Sequence, residues 1–390
     1  MKTVALGDLA TINPREARLP PEVAVSFVGM AQLDAEAAMA RPLATRRFGE
    51  VSTGYTVFRD GDLLAAKITP CWENGKVGQA ALDNQIGVGS SEFHVVRPTP
   101  DADARYLLHF LRQPSVRIAG EARMTGSAGQ KRVPVAFLQD LRVPLPDLRE
   151  QRRIAAILDQ ADALRAKRRQ VLAHLDALTQ SIFHDMFGHS RLPIRRFDDV
   201  VLDLEGGRSI VAEDSAANSN YRVLKISAVT SNRFRAEESK PLPVGYEPPI
   251  HHLVRRGDLL ISRANTAELV GAVALVDQDV AGLALPDKLW RFVWREPDGV
   301  EPLYMWMLLQ SSGMRHELSS RASGTGGSMK NISKEKLRSI LLPWPSFDLQ
   351  SEFAARVSMV NEESVMMRRR AECSDALFSS LQSRAFRGEL

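Results

Sequence analysis

Cysteine is scarce in this sequence and long apolar runs are missing. Only Cys71 and Cys373 occur, one in each half, and neither belongs to a Cys-x-x-Cys pair. That excludes a disulfide framework and a cysteine-based zinc site, and it leads us to expect a reducing, cytoplasmic setting. The longest uncharged apolar stretch, "LVGAVALV" at residues 269–276, falls far short of the roughly 20 residues a membrane span requires. The opening "MKTVALGDLATINP" carries one lysine, and its apolar run ends at Gly7-Asp8, too short for a signal-peptide core. A large excess of either charge is also absent. Lys and Arg number 51 against 47 Asp and Glu, a net charge of +4 with pI near 9.1. That balance permits a nucleic-acid partner without requiring one.

Catalytic motifs are missing too. Gly75-Lys76 is followed by Val77 and has no upstream glycine at phosphate-loop spacing. Glu247-Pro-Pro-Ile250 lacks both ends of the Asn/Asp-Pro-Pro-Tyr/Phe motif of amino-methyltransferases. Glu238-Ser-Lys240 matches the Glu-x-Lys fragment of a nuclease motif, but no partner aspartate in strand context supports it, so we read it as chance. His251-His252 suggests a metal pair only until geometry is considered. Adjacent residues on a strand point to opposite faces, and no further ligand cluster accompanies them. We therefore expect a non-catalytic chain without metal or cofactor.

What is present is a globular composition and a duplication. At 390 residues, with 44% apolar and 25% charged residues, the chain is long enough for two or more folded domains. Residues 126–146, "GSAGQKRVPVAFLQDLRVPLP", are echoed by residues 324–345, "GTGGSMKNISKEKLRSILLPWP". "LGDLATI" (6–12) resembles "FDDVVLDL" (197–204), and "FRDGDLLAAK" (58–67) matches "VRRGDLLISR" (254–263). "ARYLLHFLRQPSVR" (104–117) matches "PLYMWMLLQSSGMR" (302–315), each reading as one short amphipathic helix. "RMTGSAGQK" (123–131) then matches "RASGTGGSMK" (321–330), and a Pro-x-Pro closes both series. Matches in one order at a near-constant offset identify an internal duplication.

Each Pro-x-Pro opens a long helix. Asp147 is placed to cap the first, with Glu150 at capping-box spacing and Gly188 as the stop. Ile154, Ile157, Ala161, Leu164, Val171, Leu175, Leu178 and Ile182 form its predicted apolar stripe, interrupted by Arg168. The second helix, from Ser346 to about Phe386, places Phe353, Val357, Val360, Met367, Ala371, Phe378 and Leu381 on one stripe, with Ser364 and Ser374 interrupting and Gly388 ending it. A 40-residue helix is about 60 Å long and cannot hide such a stripe alone. Two copies of one unit pair most simply through a twofold. The expected fold is α+β (mixed α/β), with two pseudo-twofold-related α/β domains separated by an antiparallel coiled coil of two long helices.

That order of parts resembles the specificity (S) subunit of type I restriction–modification systems. The residues carrying the resemblance are "GDLLAAKITPCWENGK" with "SSEFHVVRP", "GDLLISRANTAELVGAVALV" with "LPDKLWRF", and the junctions Pro144-Leu-Pro146…Gln151 and Pro343-Trp-Pro345…Gln350. One departure is Leu349-Gln350 where Glu-Gln is usual. The resemblance implies target-recognition domains at 1–146 and 188–345 (with a lead-in linker at 188–196) and spacer helices at 147–187 and 346–390. It further implies double-stranded DNA as ligand, read as two halves of an asymmetric bipartite target, and no membrane. Two methyltransferase subunits and motor–nuclease subunits are the implied protein partners. A specificity-like module of another methylation or phage-defence complex, and a free-standing nuclease with a divergent site, remain as alternatives.

Base edges are read mainly by Arg, Lys, Asn and Gln, and phosphates by cations and main-chain N–H groups. In the first half, "KITPCWENGK" offers Lys67, Thr69, Trp72, Asn74 and Lys76, and the Gly/Ser-rich stretch adds Arg123, Ser127, Gln130 and Lys131. The second half offers Ser262, Arg263, Asn265, Thr266 and Lys288, then Arg321, Ser323, Thr325, Ser328, Lys330 and Asn331. The pairs Lys67/Arg263, Arg123/Arg321 and Lys131/Lys330 stand out because both halves repeat them. Trp290 and Trp294 are expected in the core. Arg168 either specifies helix register or reaches past its neighbours to solvent, and we favour the second. The run "RAKRR" (165–169) either faces spacer DNA or is an ordinary exposed face, and the resemblance favours the first.

Overall fold

The computed structural model describes residues 2–17, 19–127, 129–188, 191–208, 219–324 and 329–390. The chain divides into two compact units, Met1–Ala173 with Met366–Leu390, and His174–Val365. Each unit combines a sheet-rich body with parts of two long helices, so the fold class is mixed helix and sheet.

In the first unit a six-stranded sheet runs Ala10–Ile12, Phe93–Pro98, Leu63–Ala66, Val77–Ala80, Met39–Ala40, Leu33–Asp34. A four-stranded sheet beside it runs Ala44–Arg47, Ala24–Val28, Ile86–Ser90, Tyr55–Arg59. The second unit repeats the plan with fewer strands. Val201–Gly206, Leu289–Trp294, Leu259–Ser262 and Val273–Leu275 form one sheet, and Ser239–Pro241, Arg222–Leu224 and Leu283–Ala284 the other. Both units contain parallel pairing: Ile86–Ser90 on Ala24–Val28 and Met39–Ala40 on Val77–Ala80 in the first, and Leu283–Ala284 on Arg222–Leu224 in the second.

The recurring Gly-Asp-Leu-Leu has a mechanical reason. Gly61 and Gly257 sit at φ +83° and +90°, a turn conformation that disfavours other residues. The following aspartate closes the turn from inside: Asp62 accepts from Arg59 N–H at 2.7 Å, and Asp258 from Arg255 N–H at 2.8 Å. The leucines then enter the core as Leu63–Ala66 and Leu259–Ser262, and each strand pairs back through a hairpin, on Val77–Ala80 and on Val273–Leu275.

The expected single helices after the sheets are each two. Ala104–Leu111 is followed by Pro114–Glu121, because Pro114 lacks an N–H to continue the ladder and instead starts a new helix. Pro302–Gln310 is followed by Ser312–Arg321, broken at Ser311, whose ψ of 147° is extended. Two buried tyrosines lock these helices to the Pro-x-Pro junctions. Tyr106 donates to the Pro144 carbonyl at 2.6 Å and Tyr304 to that of Pro343 at 2.7 Å.

The long helices are Leu148–Phe187 and Phe347–Arg387, and Asp147 accepts from Glu150 N–H at 2.9 Å as N-cap. Gly388 ends the second in a left-handed turn at φ +80°. Gly188 ends the first differently: a Cβ there would lie 2.6 Å from the His184 carbonyl oxygen. Within the first unit, the start of one helix meets the end of the other, Ile154 and Leu158 packing with Phe378, Ala385 and Phe386. Within the second, Phe183 and Phe187 meet Phe353 with ring centroids 5.6 and 5.5 Å apart. The helices are antiparallel in both.

Their seam differs from the predicted stripe. Leu164, Val171 and Leu178 are 54%, 38% and 44% exposed. The inward positions run instead through Ile154, Leu158, Ala161, Arg165, Arg168, Leu172, Leu175, Thr179 and Ile182, spaced by alternating threes and fours. Ser364 and Ser374 do not interrupt the second seam. Both are buried in it, and Ser374 returns its hydroxyl to the Arg370 carbonyl at 2.7 Å.

Candidate nucleic-acid interface

The end of the GDLL strand and the Gly/Ser-rich hairpin are brought side by side in each unit. In the first, Lys67 N–H donates to Glu92 O at 2.9 Å, and Lys67 O accepts from Val133 N–H at 2.9 Å. Thr69 N–H donates to Lys131 O at 3.0 Å, and Thr125 pairs with Arg132 to close the hairpin that carries Ser127 and Gln130. Behind this frame the ring of His94 bonds Val133 O at 2.8 Å, and burial pushes its pKa down, so the neutral ring serves as a brace. In front, Arg132 binds Glu92 through two nitrogens at 2.7 and 3.0 Å. That bidentate bond, with Lys67 nearby, holds the Glu92 carboxyl below its ordinary range. Ser127, Gln130 and Lys131 are exposed, as is Asn74.

The second unit builds the same frame from other side chains. Arg263 N–H donates to Lys288 O at 3.1 Å, and Arg263 O accepts from Ile332 N–H at 2.9 Å. Ala264–Asn265 pairs with Lys330–Asn331, and Ser323 with Asn331. Lys288 thus takes the place of Glu92, and Asn331 that of Arg132. Arg263 Nε donates to Asp287 O at 2.8 Å, and its guanidinium lies 5.6 Å from the Trp290 ring centre. Asn265 uses Oδ1 to accept from Thr266 N–H at 2.9 Å, which leaves its buried Nδ2 without a partner among the described residues. Each frame sets three cations against one carboxylate: Lys67, Lys131 and Arg132 with Glu92, and Arg263, Lys288 and Lys330 with Asp287. Thr325 and Ser328 lie outside the described residues.

Residues 1–174 match the model of the type I restriction modification DNA specificity domain. The sequence is 28% identical to the type I restriction enzyme EcoEI specificity subunit of Escherichia coli, over 89% of this chain and 75% of that one. It is 39% identical to the EcoAI specificity subunit of the same organism, over 45% of this chain and 30% of that one. The fold is shared with the S subunit of a type I restriction–modification system from M. genitalium, with a TM-score of 0.60 at 12% identity over 99% of this chain and 96% of that one. Together these likenesses support a type I DNA sequence-specificity subunit.

In this specificity subunit several predicted contact residues are occupied in holding the fold. Lys76 Nζ donates to Met30 O at 2.8 Å. Arg123 donates to Ala119 O at 3.1 Å and lies over Phe137. Arg321 binds Glu317, Lys336 O at 3.1 Å and Ser339 Oγ at 2.5 Å. Trp72, expected in an open loop, is buried and donates to Arg117 O at 2.8 Å. Ser262 is fully buried and Ser323 lies in the hairpin bridge. Trp290 is in the core and Trp294 packs against it, as expected.

The three arginines of the charge run on the first helix are also engaged, while Lys167 is exposed. Arg165 binds Asp162 at 2.8 Å and Asp375 at 2.5 Å, Arg169 reaches Glu36 at 3.2 Å, and Arg168 donates to the Arg370 main-chain carbonyl at 3.1 Å. Arg168 therefore crosses to the facing helix instead of extending to solvent. His251 and His252 lie on a short 3₁₀ turn, not a strand, with ring centres 4.4 Å apart. No group of three or more metal-binding side chains occurs among the described residues. Nor is any described helix long and apolar enough to cross a membrane. Sequence reasoning missed Arg132, Glu92 and Asp287. Arg132 stood beside Lys131, and Glu92 and Asp287 lay inside the quoted blocks "SSEFHVVRP" and "LPDKLWRF".

Proposed function

We propose that this DNA sequence-specificity subunit recognises a split, asymmetric double-stranded target, one globular domain to each half. The division into recognition domains 1–146 and 188–345, with helices 147–187 and 346–390 setting the gap and docking two methyltransferase subunits, belongs to this reading. The observation that carries it is the frame built twice with different side chains. The same main-chain bonds present Lys67, Glu92 and Arg132 in one unit and Arg263, Lys288 and Asn331 in the other. A common scaffold with different donors and acceptors reads different base edges. The chain supplies specificity and no chemistry. Adenine-N6 methylation and ATP-dependent cleavage fall to the methyltransferase and motor–nuclease partners, in the cytoplasm.

Base-resolution mapping of methylation across the host genome, with this gene intact and then deleted, tests the reading. Loss of methylation from one split motif with a fixed gap is the expected result. A genome whose methylation is unchanged by the deletion refutes it.

A further inference from the structure

Several part-buried arginines face carboxylates: Arg97 binds Asp62 and Glu16, Arg291 binds Glu205 and Asp258, and Arg112 binds Asp162. Arg315 does not. It is half-buried on the helix Ser312–Arg321, and among the described residues its side chain has one hydrogen bond, from Nη2 to Glu268 O at 2.8 Å. Its Nη1 is buried with no acceptor among the described residues. Burial pushes the guanidinium below the usual arginine range, without reaching neutrality. A desolvated cation with an unmade hydrogen bond is costly, so a residue held this way points to a missing acceptor.

The duplication repeats the arrangement. Arg315 precedes Arg321 by the same interval by which Arg117 precedes Arg123. Both arginines lie over the left-handed glycine of the hairpin that follows the GDLL strand. A Cβ on Gly271 (φ +75°) would sit 3.4 Å from Arg315 Nη1, and one on Gly75 (φ +67°) 3.7 Å from Arg117 Nη1. The exposed Arg117 side chain makes no hydrogen bond or ion pair among the described residues; its main-chain N–H bonds Gln113 O and its carbonyl accepts from Trp72.

The chemistry and the place of the missing ligand follow. Arg315 Nη1 and Asn265 Nδ2 are both orphaned donors on or against the loop that follows Leu259–Ser262, so the ligand is an acceptor. The Gly271 position also lies 3.4 Å from the Ile332 side chain, and Ile332 N–H is bonded to Arg263 O in the frame described above. We propose that Arg315, and Arg117 in the first domain, each bind a DNA backbone phosphate at the flank of the half-site. They set the register of the duplex against the reading residues and carry no sequence preference of their own. This inference rests on the reading of the chain as a DNA-binding specificity subunit.

The test uses the complete complex purified from its host with Arg117→Gln or Arg315→Gln in this chain. Affinity for the target duplex and for an unrelated duplex is measured from 50 to 200 mM KCl. We expect each variant to bind both duplexes about tenfold more weakly at low salt. The slope of log affinity against log salt should become shallower by about 0.9. A loss confined to the target sequence overturns the proposal, since it marks a base contact. An unchanged slope with a lowered melting temperature also overturns it, since that marks a packing role over the glycine turn. If Arg315→Gln does not fold, the exposed Arg117 decides the matter by the same slope. Equal affinity of the unsubstituted complex for both duplexes would instead defeat the specificity reading, while the slopes still decide for the arginines.

Discussion

Gln350→Leu tests how the recognition domains are seated on their helices. Gln350 is fully buried near the start of the second long helix. Its Nε2 donates to Pro345 O at 3.0 Å, and its Oε1 accepts from Glu301 N–H at 3.1 Å, the residue that precedes Pro302–Gln310. Leucine fills similar space but strands one buried N–H and one buried carbonyl. At about 1–3 kcal/mol for each stranded group, less about 1 kcal/mol for better apolar burial, the net cost is about 3 kcal/mol. That corresponds to a melting temperature lower by about 6–12 °C for a unit of this size. If the loss is local, the Glu301 amide should exchange with solvent roughly 150-fold faster. Gln151 tests the same clasp in the first unit. It bonds Asp103 N–H at 2.9 Å and the Asp101 and Pro146 carbonyls at 3.1 Å, so Gln151→Leu strands three groups and should cost about 5 kcal/mol by the same reckoning. Glutamate at either position restores the acceptor, loses the donor and buries a charge, so it should be worse than leucine. Leucine variants melting within 2 °C of the parent, with unchanged exchange at Asp103 and Glu301, would refute the reasoning.

Arg263→Ala and Lys67→Ala should each weaken target binding by about 1–3 kcal/mol and relax the preference at one position if the side chain reads a base, checked by competition with singly substituted targets. Uniform weakening with a shallower salt slope would reassign either to phosphate. Four residues inserted near Ala166, matched by four near Glu372 so that the Arg165–Asp375 and Arg168–Arg370 contacts keep their order, add about 6 Å of helix. The mapped target should then gain about two base pairs of gap with both half-sites intact, and an altered half-site would defeat the spacer reading. Burial pushes the Tyr106 and Tyr304 hydroxyls above the ordinary tyrosine range. Their folded pKa values exceed the unfolded value of about 10, so their contribution is whole below pH 10 and is lost as pH rises through the folded values. Denaturant midpoints should stay level in this respect from pH 7 to 9 and fall above pH 10. The Tyr106→Phe/Tyr304→Phe double variant should show a shallower alkaline fall but lose about 1.5 kcal/mol per hydroxyl at pH 7.

Much of the architecture was legible because it rests on local rules written twice. The Gly-Asp turn needs a left-handed residue followed by an acceptor, and both halves spell it at Gly61-Asp62 and Gly257-Asp258. Asp147 with Glu150 marks a helix start, and the bonded N-cap is where that signal places it. The helix seam was read correctly at Ile154, Ala161, Leu175 and Ile182 and one residue early at the positions between them. Leu164, Val171 and Leu178 are apolar at heptad spacing, yet Arg165 and Arg168 occupy the inward row. Periodicity reports where apolar side chains recur. It does not report that a long arginine stem can line a seam while its head finds Asp375 or a main-chain carbonyl.

The site divides in the same way. Sequence by itself determined the duplication, the mixed fold, the long helices and the two segments that carry the recognition frame, because spacing and turn chemistry are properties of neighbours along the chain. Tertiary structure alone decided which side chains in those segments are free to meet a ligand. Lys76 and Lys131 look alike in sequence, but Met30 O holds one and the other is exposed. Arg321 and Arg315 lie on one helix, yet Glu317 and Ser339 take the first while the second keeps a buried N–H unmade. The difference is the partner each residue meets across the fold, and such partners are set by packing between segments that are distant in sequence.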